Sequence, residues 1–187
     1  KKFALGEPNG GTSDRVKRLS EVLEKAGFEA PVLQDIRSEI WLKLWGNLCF
    51  NPISALTRTT LDIVATDPGT RALSYSMMEE AKQIAEKFGA SFRVDINRRI
   101  NGAAKVGAHR TSMLQDLENG RPLEIDALLT SVQEMGRLVD VRTPHIDAVL
   151  GLVQQLGRSL QIYPTFPNVV AKPVLSPRME HVHSISA

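Results

Sequence analysis

The stretch Ile40-Trp-Leu-Lys-Leu-Trp-Gly-Asn-Leu-Cys-Phe-Asn-Pro52 decides how this chain is read. It is mostly apolar, yet Lys43, Asn47 and Asn51 recur within it at every fourth position. At about 100° per residue, helical steps of four keep all three on one side of a helix, drifting only ~40° per step. Trp41, Leu44, Trp45, Leu48, Cys49 and Phe50 supply apolar surroundings. An ammonium set in such a wall loses hydration, which lowers its pKa and suits proton transfer near neutrality. Two carboxamides beside it would orient a polar substrate through donors and acceptors at fixed positions. A second reading is a helix whose polar stripe faces water, and spacing alone favours it.

Outward from this run, composition narrows the possibilities. The chain has 187 residues, 42% hydrophobic and 24% charged, which suits one domain with a good core, or one domain and a fragment of another. A net charge of +2 makes no electrostatic case for a nucleic-acid or membrane partner. The basic clusters at Arg15–Lys17–Arg18 and Arg98–Arg99 read as solvated helix faces. One cysteine, Cys49, excludes an internal disulfide and fits a reducing, cytoplasmic location; its apolar neighbours make it a small core residue. No apolar stretch approaches the length of a membrane span. No Gly-x-Gly-x-x-Gly fingerprint occurs, and Gly6–Gly11 is turn chemistry.

The residues before this run look like the tail of an α/β unit. Phe3–Leu5 and Phe28–Leu33 are strand candidates. Between them Ser13 caps a helix to Ala26, with Val16, Leu19, Val22 and Leu23 on its apolar face and Gly27 as its stop. From Asp35 the pattern is helical. Pro52 is expected to break or kink the first helix and leave Asn51 at a helix end. Thr60–Thr66 makes a short helix, and Asp67-Pro68 starts one running to Phe88 before Gly89. Asp95 starts another, and Thr111 or Ser112 caps a short one ending at Gly120. Pro122 is expected to open a long helix with Leu123, Ala127, Leu128, Val132, Met135 and Leu138 inward, and Thr143-Pro144 the last, to about Leu160. The reading is mainly all-α: residues 1–34 an α/β remnant, 35–164 a helical bundle, 165–187 an extended tail. His181 and His183 have no partners that would argue for a metal, and His109 reads as a solvated loop residue.

Several motifs together resemble the ketopantoate reductases (2-dehydropantoate 2-reductases). Leu5-Gly6-Glu7-Pro8 with Ser13-x-Arg15 is similar to the end of that family's nucleotide-binding domain. Trp41-x-Lys43-x3-Asn47-x3-Asn51-Pro52 resembles the opening of its C-terminal helical domain. Ser112-Met113-x-Gln115-Asp116, Glu124-Ile125-Asp126 and Thr143-Pro144 resemble its later signatures.

The resemblance implies a helical bundle of the 6-phosphogluconate dehydrogenase C-terminal-like type, preceded by a short remnant of a Rossmann domain. It also implies NADPH-dependent reduction of 2-dehydropantoate to (R)-pantoate in pantothenate biosynthesis, with the cofactor bound mainly by residues upstream of Lys1. Lys43 then falls on the catalytic lysine, Asn47 and Asn51 on substrate-contacting asparagines, and Ser112 on the residue holding the substrate carboxylate. Glu124 falls on an acidic residue needed for full activity, with Lys43 or the cofactor ribose as its partner. The implied partners are a small 2-oxo acid and a second copy in a homodimer. Read alone, Ser112 is only a helix cap, and Glu124 and Asp126 only first-turn acids. Leu129 and Thr130 replace an Asn-Gly pair found in some members, which is expected to alter the wall near the site. A reductase of another branched 2-oxo acid, a neighbouring hydroxyacid dehydrogenase and a non-catalytic dimerisation module remain alternatives.

Overall fold

Residues 1–163 are described by the structure, a computed structural model. The expected tail at 165–187, with His181 and His183, lies outside them.

Two short strands and a helix come first. β1 (Leu5–Gly6) and β2 (Val32–Leu33) pair in parallel, with Leu5 opposite Val32, and α1 (Asp14–Lys25) crosses between them. Ser13 caps α1, accepting from the amide of Val16 at 3.3 Å. The guanidinium of Arg15, and then the hydroxyl of Ser13, hold the Glu7 carboxyl down to about 2, so three residues of the first motif bond to one another. Val16 and Ser20 are buried, whereas Leu19 and Val22 (61% exposed) face outward, contrary to the expected apolar face. Two strands offer this helix only a narrow surface to cover.

Gly6 brings this unit onto the bundle, because a Cβ there would stand 2.5 Å from Cβ of Ile36. Ile36 opens α2 (Ile36–Thr57), capped by Asp35 through the amide of Ser38 at 3.0 Å. Of the break or kink expected at Pro52 the break is absent: α2 runs on through it, and Asn51 lies inside the helix and not at its end. Residues 48–55 are continuously buried. Burial of Leu48, Phe50 and Ile53 at roughly 1.5–3 kcal/mol each outweighs the roughly 3 kcal/mol cost of an interior proline.

The rest of the bundle packs around α2. α3 (Leu61–Thr66), α4 (Pro68–Lys87), α6 (Ser112–Glu118) and α8 (Pro144–Ser159) all contact it. Trp45, fully buried, donates its indole N–H to the Met78 carbonyl at 2.6 Å and stacks on Phe92 at 4.2 Å. α5 (Ile96–Ala104) packs chiefly on α3 and α4 and stands off α2, leaving a cleft. Asp67, Asp95 and Thr111 cap α4, α5 and α6 as their sequence positions predict. Among the described residues no helix is long and apolar enough to cross a membrane.

Two further differences concern the helix expected from Pro122. The helix expected from Pro122 begins only at Ile125, because Leu123 turns inward and donates to the Ile162 carbonyl at 3.4 Å. Its first turn, Asp126–Thr130, is a π-turn that leads into α7 (Ser131–Leu138). A π-turn inserts an extra residue and rotates everything after it. Leu128 and Val132 are buried as expected, with Leu129 and Gly136 beside them, whereas Ala127 and Leu138 (79% exposed), both expected inward, face out. Phe88, expected inward, caps α4 beyond its last turn and is exposed.

Candidate active site

The cleft between α2, α5 and the start of α6 gathers most of the polar residues singled out by sequence. Asn47 and Asn51 lie on the α2 face that borders a cavity of about 360 Å³. Ser112, the first residue of α6, borders the same cavity, as do Thr111 and His109. Asn51 is only 6% exposed and donates its side-chain amide to Ser112 Oγ at 3.3 Å. Three of the five expected site residues thus share one concavity.

Lys43, two turns before Asn51, borders an adjoining cavity of about 450 Å³ with Glu39, Arg93, Arg98 and Arg99. The apolar wall expected around it is on the opposite side of the helix. Trp41, Trp45, Leu48 and Cys49 turn into the core, and Lys43 emerges on the exposed face. Burial pushes the Cys49 thiol well above its ordinary range, which keeps it protonated. Glu124 is exposed, lies just ahead of the helix that begins at Ile125, and borders neither cavity. Leu129 and Thr130 also border neither: Leu129 is fully buried and Thr130 donates to Asp126 at 2.8 Å.

Arg99 links the two cavities, and the sequence reading of a solvated Arg98–Arg99 pair missed it. Its guanidinium lies against the bare backbone of Gly46, where a Cβ would stand 3.0 Å from Cζ and closer still to Nη2. Nε is fully buried without a hydrogen-bond partner, and among the described residues no carboxylate pairs with the group. Burial pushes its pKa below the usual arginine range, from a value so high that the group stays charged at neutrality. One sequence signal was available. A glycine inside a helix costs about 1 kcal/mol and marks close approach by another group.

Charge at the cleft is predominantly positive. Arg93 is paired with Glu39, which leaves Lys43, Arg98 and Arg99 without ion-pair partners among the described residues. With two carboxamides and a hydroxyl alongside, the cleft has the donors and the size to bind a small anion bearing carbonyl or hydroxyl groups.

Known proteins resemble this chain in sequence and in fold. The family model "Ketopantoate reductase PanE/ApbA C terminal" matches residues 35–157. A 2-dehydropantoate 2-reductase of Mesorhizobium japonicum is 62% identical over 144 residues, covering 77% of this chain and 44% of that protein. One of Archaeoglobus fulgidus is 31% identical, covering 71% of this chain and 45% of that protein. The crystal structure of 2-dehydropantoate 2-reductase from Methylococcus capsulatus superposes with a TM-score of 0.76 at 31% identity, over 85% of this chain and 55% of that one. The chain spans about half the length of the curated relatives it matches.

Proposed function

The chain belongs to the ketopantoate reductase family, of which it carries the C-terminal domain, and on that premise we propose that the protein containing it reduces 2-dehydropantoate to (R)-pantoate in pantothenate biosynthesis. The observation that carries this reading is the placement of Lys43 on the same helix face as Asn47 and Asn51, with Ser112 closing the cavity beside them.

In this reading the 2-oxo acid lies along α2. The Lys43 ammonium polarises the ketone and gives its proton to the oxygen as that oxygen gains charge. Asn47 and Asn51 orient the substrate through donors and acceptors held by a rigid helix, and Ser112 adds a hydroxyl at the start of α6. NADPH, when bound, supplies the hydride. The chain has no Gly-x-Gly-x-x-Gly loop for its pyrophosphate, so its main grip is assigned to residues outside this chain, with residues 1–34 as the end of the nucleotide-binding domain. Glu124 borders neither cavity, and its proposed part is to tune Lys43 or to meet the cofactor ribose.

A second copy of the chain is the proposed macromolecular partner, supported by apolar side chains left outward at Ile40, Val106, Leu138 and Leu152. The cytoplasm is the proposed location, in keeping with a lone buried thiol. The deciding experiment follows NADPH oxidation by the full-length protein with 2-dehydropantoate and with other branched 2-oxo acids. Turnover with 2-dehydropantoate preferred supports the reading; preference for another acid moves the substrate; absence of turnover with every one overturns it.

A further inference from the structure

Arg99 has no task in the fold that its surroundings explain. It forms no ion pair and no side-chain hydrogen bond among the described residues, yet it lies half-buried with Nε sealed from water. Leaving such a group unsatisfied costs about 1–3 kcal/mol, and more when it is charged. The penalty falls when an anion reaches the guanidinium from either of the two cavities that Arg99 borders.

We propose that Arg99, which borders both the Lys43 cavity and the Asn47–Asn51–Ser112 cavity with its guanidinium held on Gly46, is the carboxylate-recognising and specificity-determining residue of this site. The proposal rests on the reading of the site as a 2-oxo acid reductase. In a 2-oxo acid the carboxylate carbon is bonded directly to the ketone carbon. A cation bordering the same cavity as Lys43 therefore anchors the acid end and leaves the ketone oxygen for the ammonium. Ser112 cannot supply that charge. Its hydroxyl accepts from Asn51, retains one proton to donate, and serves the carboxylate edge or a substrate hydroxyl. A neutral carboxamide of the same shape gains only a single carbonyl contact from Arg99 and no ion pair, so the residue selects acids.

The test is steady-state kinetics on the full-length enzyme with 2-dehydropantoate and with its neutral carboxamide, for wild type, Arg99→Met, Arg99→Lys and Gly46→Ala. Arg99→Met is expected to raise KM for the acid about thirtyfold and for the amide less than about fivefold, with kcat changed less than about threefold, as loss of an ion-paired contact implies. Arg99→Lys keeps the charge without the planar fork and falls between the two. Gly46→Ala keeps the arginine but displaces it, and is expected to raise KM for the acid about fivefold. An acid KM that stays within about twofold of wild type in all three variants overturns the proposal, as does a rise shared equally by acid and amide. If Arg99→Met fails to fold, as judged by its melting curve, the two milder variants decide by the same criterion. A wild type that reduces no 2-oxo acid defeats the reductase reading and this proposal with it. An active wild type with indifferent variants defeats only the role of Arg99.

Discussion

The side-chain amide of Asn51 reaches Ser112 Oγ at 3.3 Å across 61 positions of sequence, tying the buried middle of α2 to the first residue of α6. Asn51→Ala removes a nearly buried donor and leaves a void. It is expected to cost about 1–2 kcal/mol of stability and to raise KM for the 2-oxo acid. Ser112→Ala, at an exposed position, should cost less than about 1 kcal/mol while raising KM comparably. Urea denaturation together with kinetics checks both; a stability loss larger for Ser112→Ala would contradict the burial argument.

Lys43 is exposed and bonded to nothing in the core, so its removal separates chemistry from folding. Lys43→Ala is expected to lower kcat about 10²–10⁴-fold with the melting midpoint nearly unchanged. Full retained turnover would remove this ammonium from the reaction.

Glu80, buried on α4, caps a helix that its own flanking residue leaves uncapped. Its carboxylate accepts from the amides of His145 and Ile146 at 2.9 and 3.0 Å, at the start of α8, and meets the His145 ring at 2.6 Å. Thr143, at the cap position, makes no side-chain cap bond. Glu80→Ala should therefore destabilise by about 2–3 kcal/mol, and Glu80→Gln by less. Denaturant midpoints measure it, and a loss below about 0.5 kcal/mol would show the cap to be dispensable.

Tyr163 predicts an alkaline limit. Burial, then the hydrogen bond to Asp126 at 2.7 Å, push its phenol up to about 12. The unfolded value is about 10, so the folded chain holds this proton more tightly. The stabilisation is complete below about pH 10 and is lost as pH rises through about 12. Ultraviolet titration should show an ionisation near the unfolding limit that vanishes in Tyr163→Phe. In that variant, stability should also fall less steeply between these two pH values.

Features confined to one turn of chain were legible in the sequence. Asp67-Pro68 before α4, Asp95 before α5 and Thr111 before α6 act where their chemistry puts them, because a cap needs only its next three residues. The step-of-four face of Lys43, Asn47 and Asn51 was legible for the same reason. Pro52 misled because what holds α2 through it comes from distant helices packed on residues 48–55. Leu138 misled because apolar character alone does not decide which side of a helix meets a neighbour, and this residue closes α7 79% exposed. Arg99 was hidden twice over: its seat is Gly46, 53 positions away, and beside Arg98 it looked like ordinary surface charge.

The central position of α2 shapes how variants of this protein should be scored. One rod serves as both keel and workbench: Trp45, Leu48 and Ile53 anchor its inner side, and Lys43, Asn47 and Asn51 stand on its outer side. A growth-based scan would mark both sides as equally intolerant, the inner one through lost abundance and the outer one through lost turnover. Dividing activity by folded protein at each position should split that uniform band into alternating stripes at the helical period, with Gly46 joining the outer stripe.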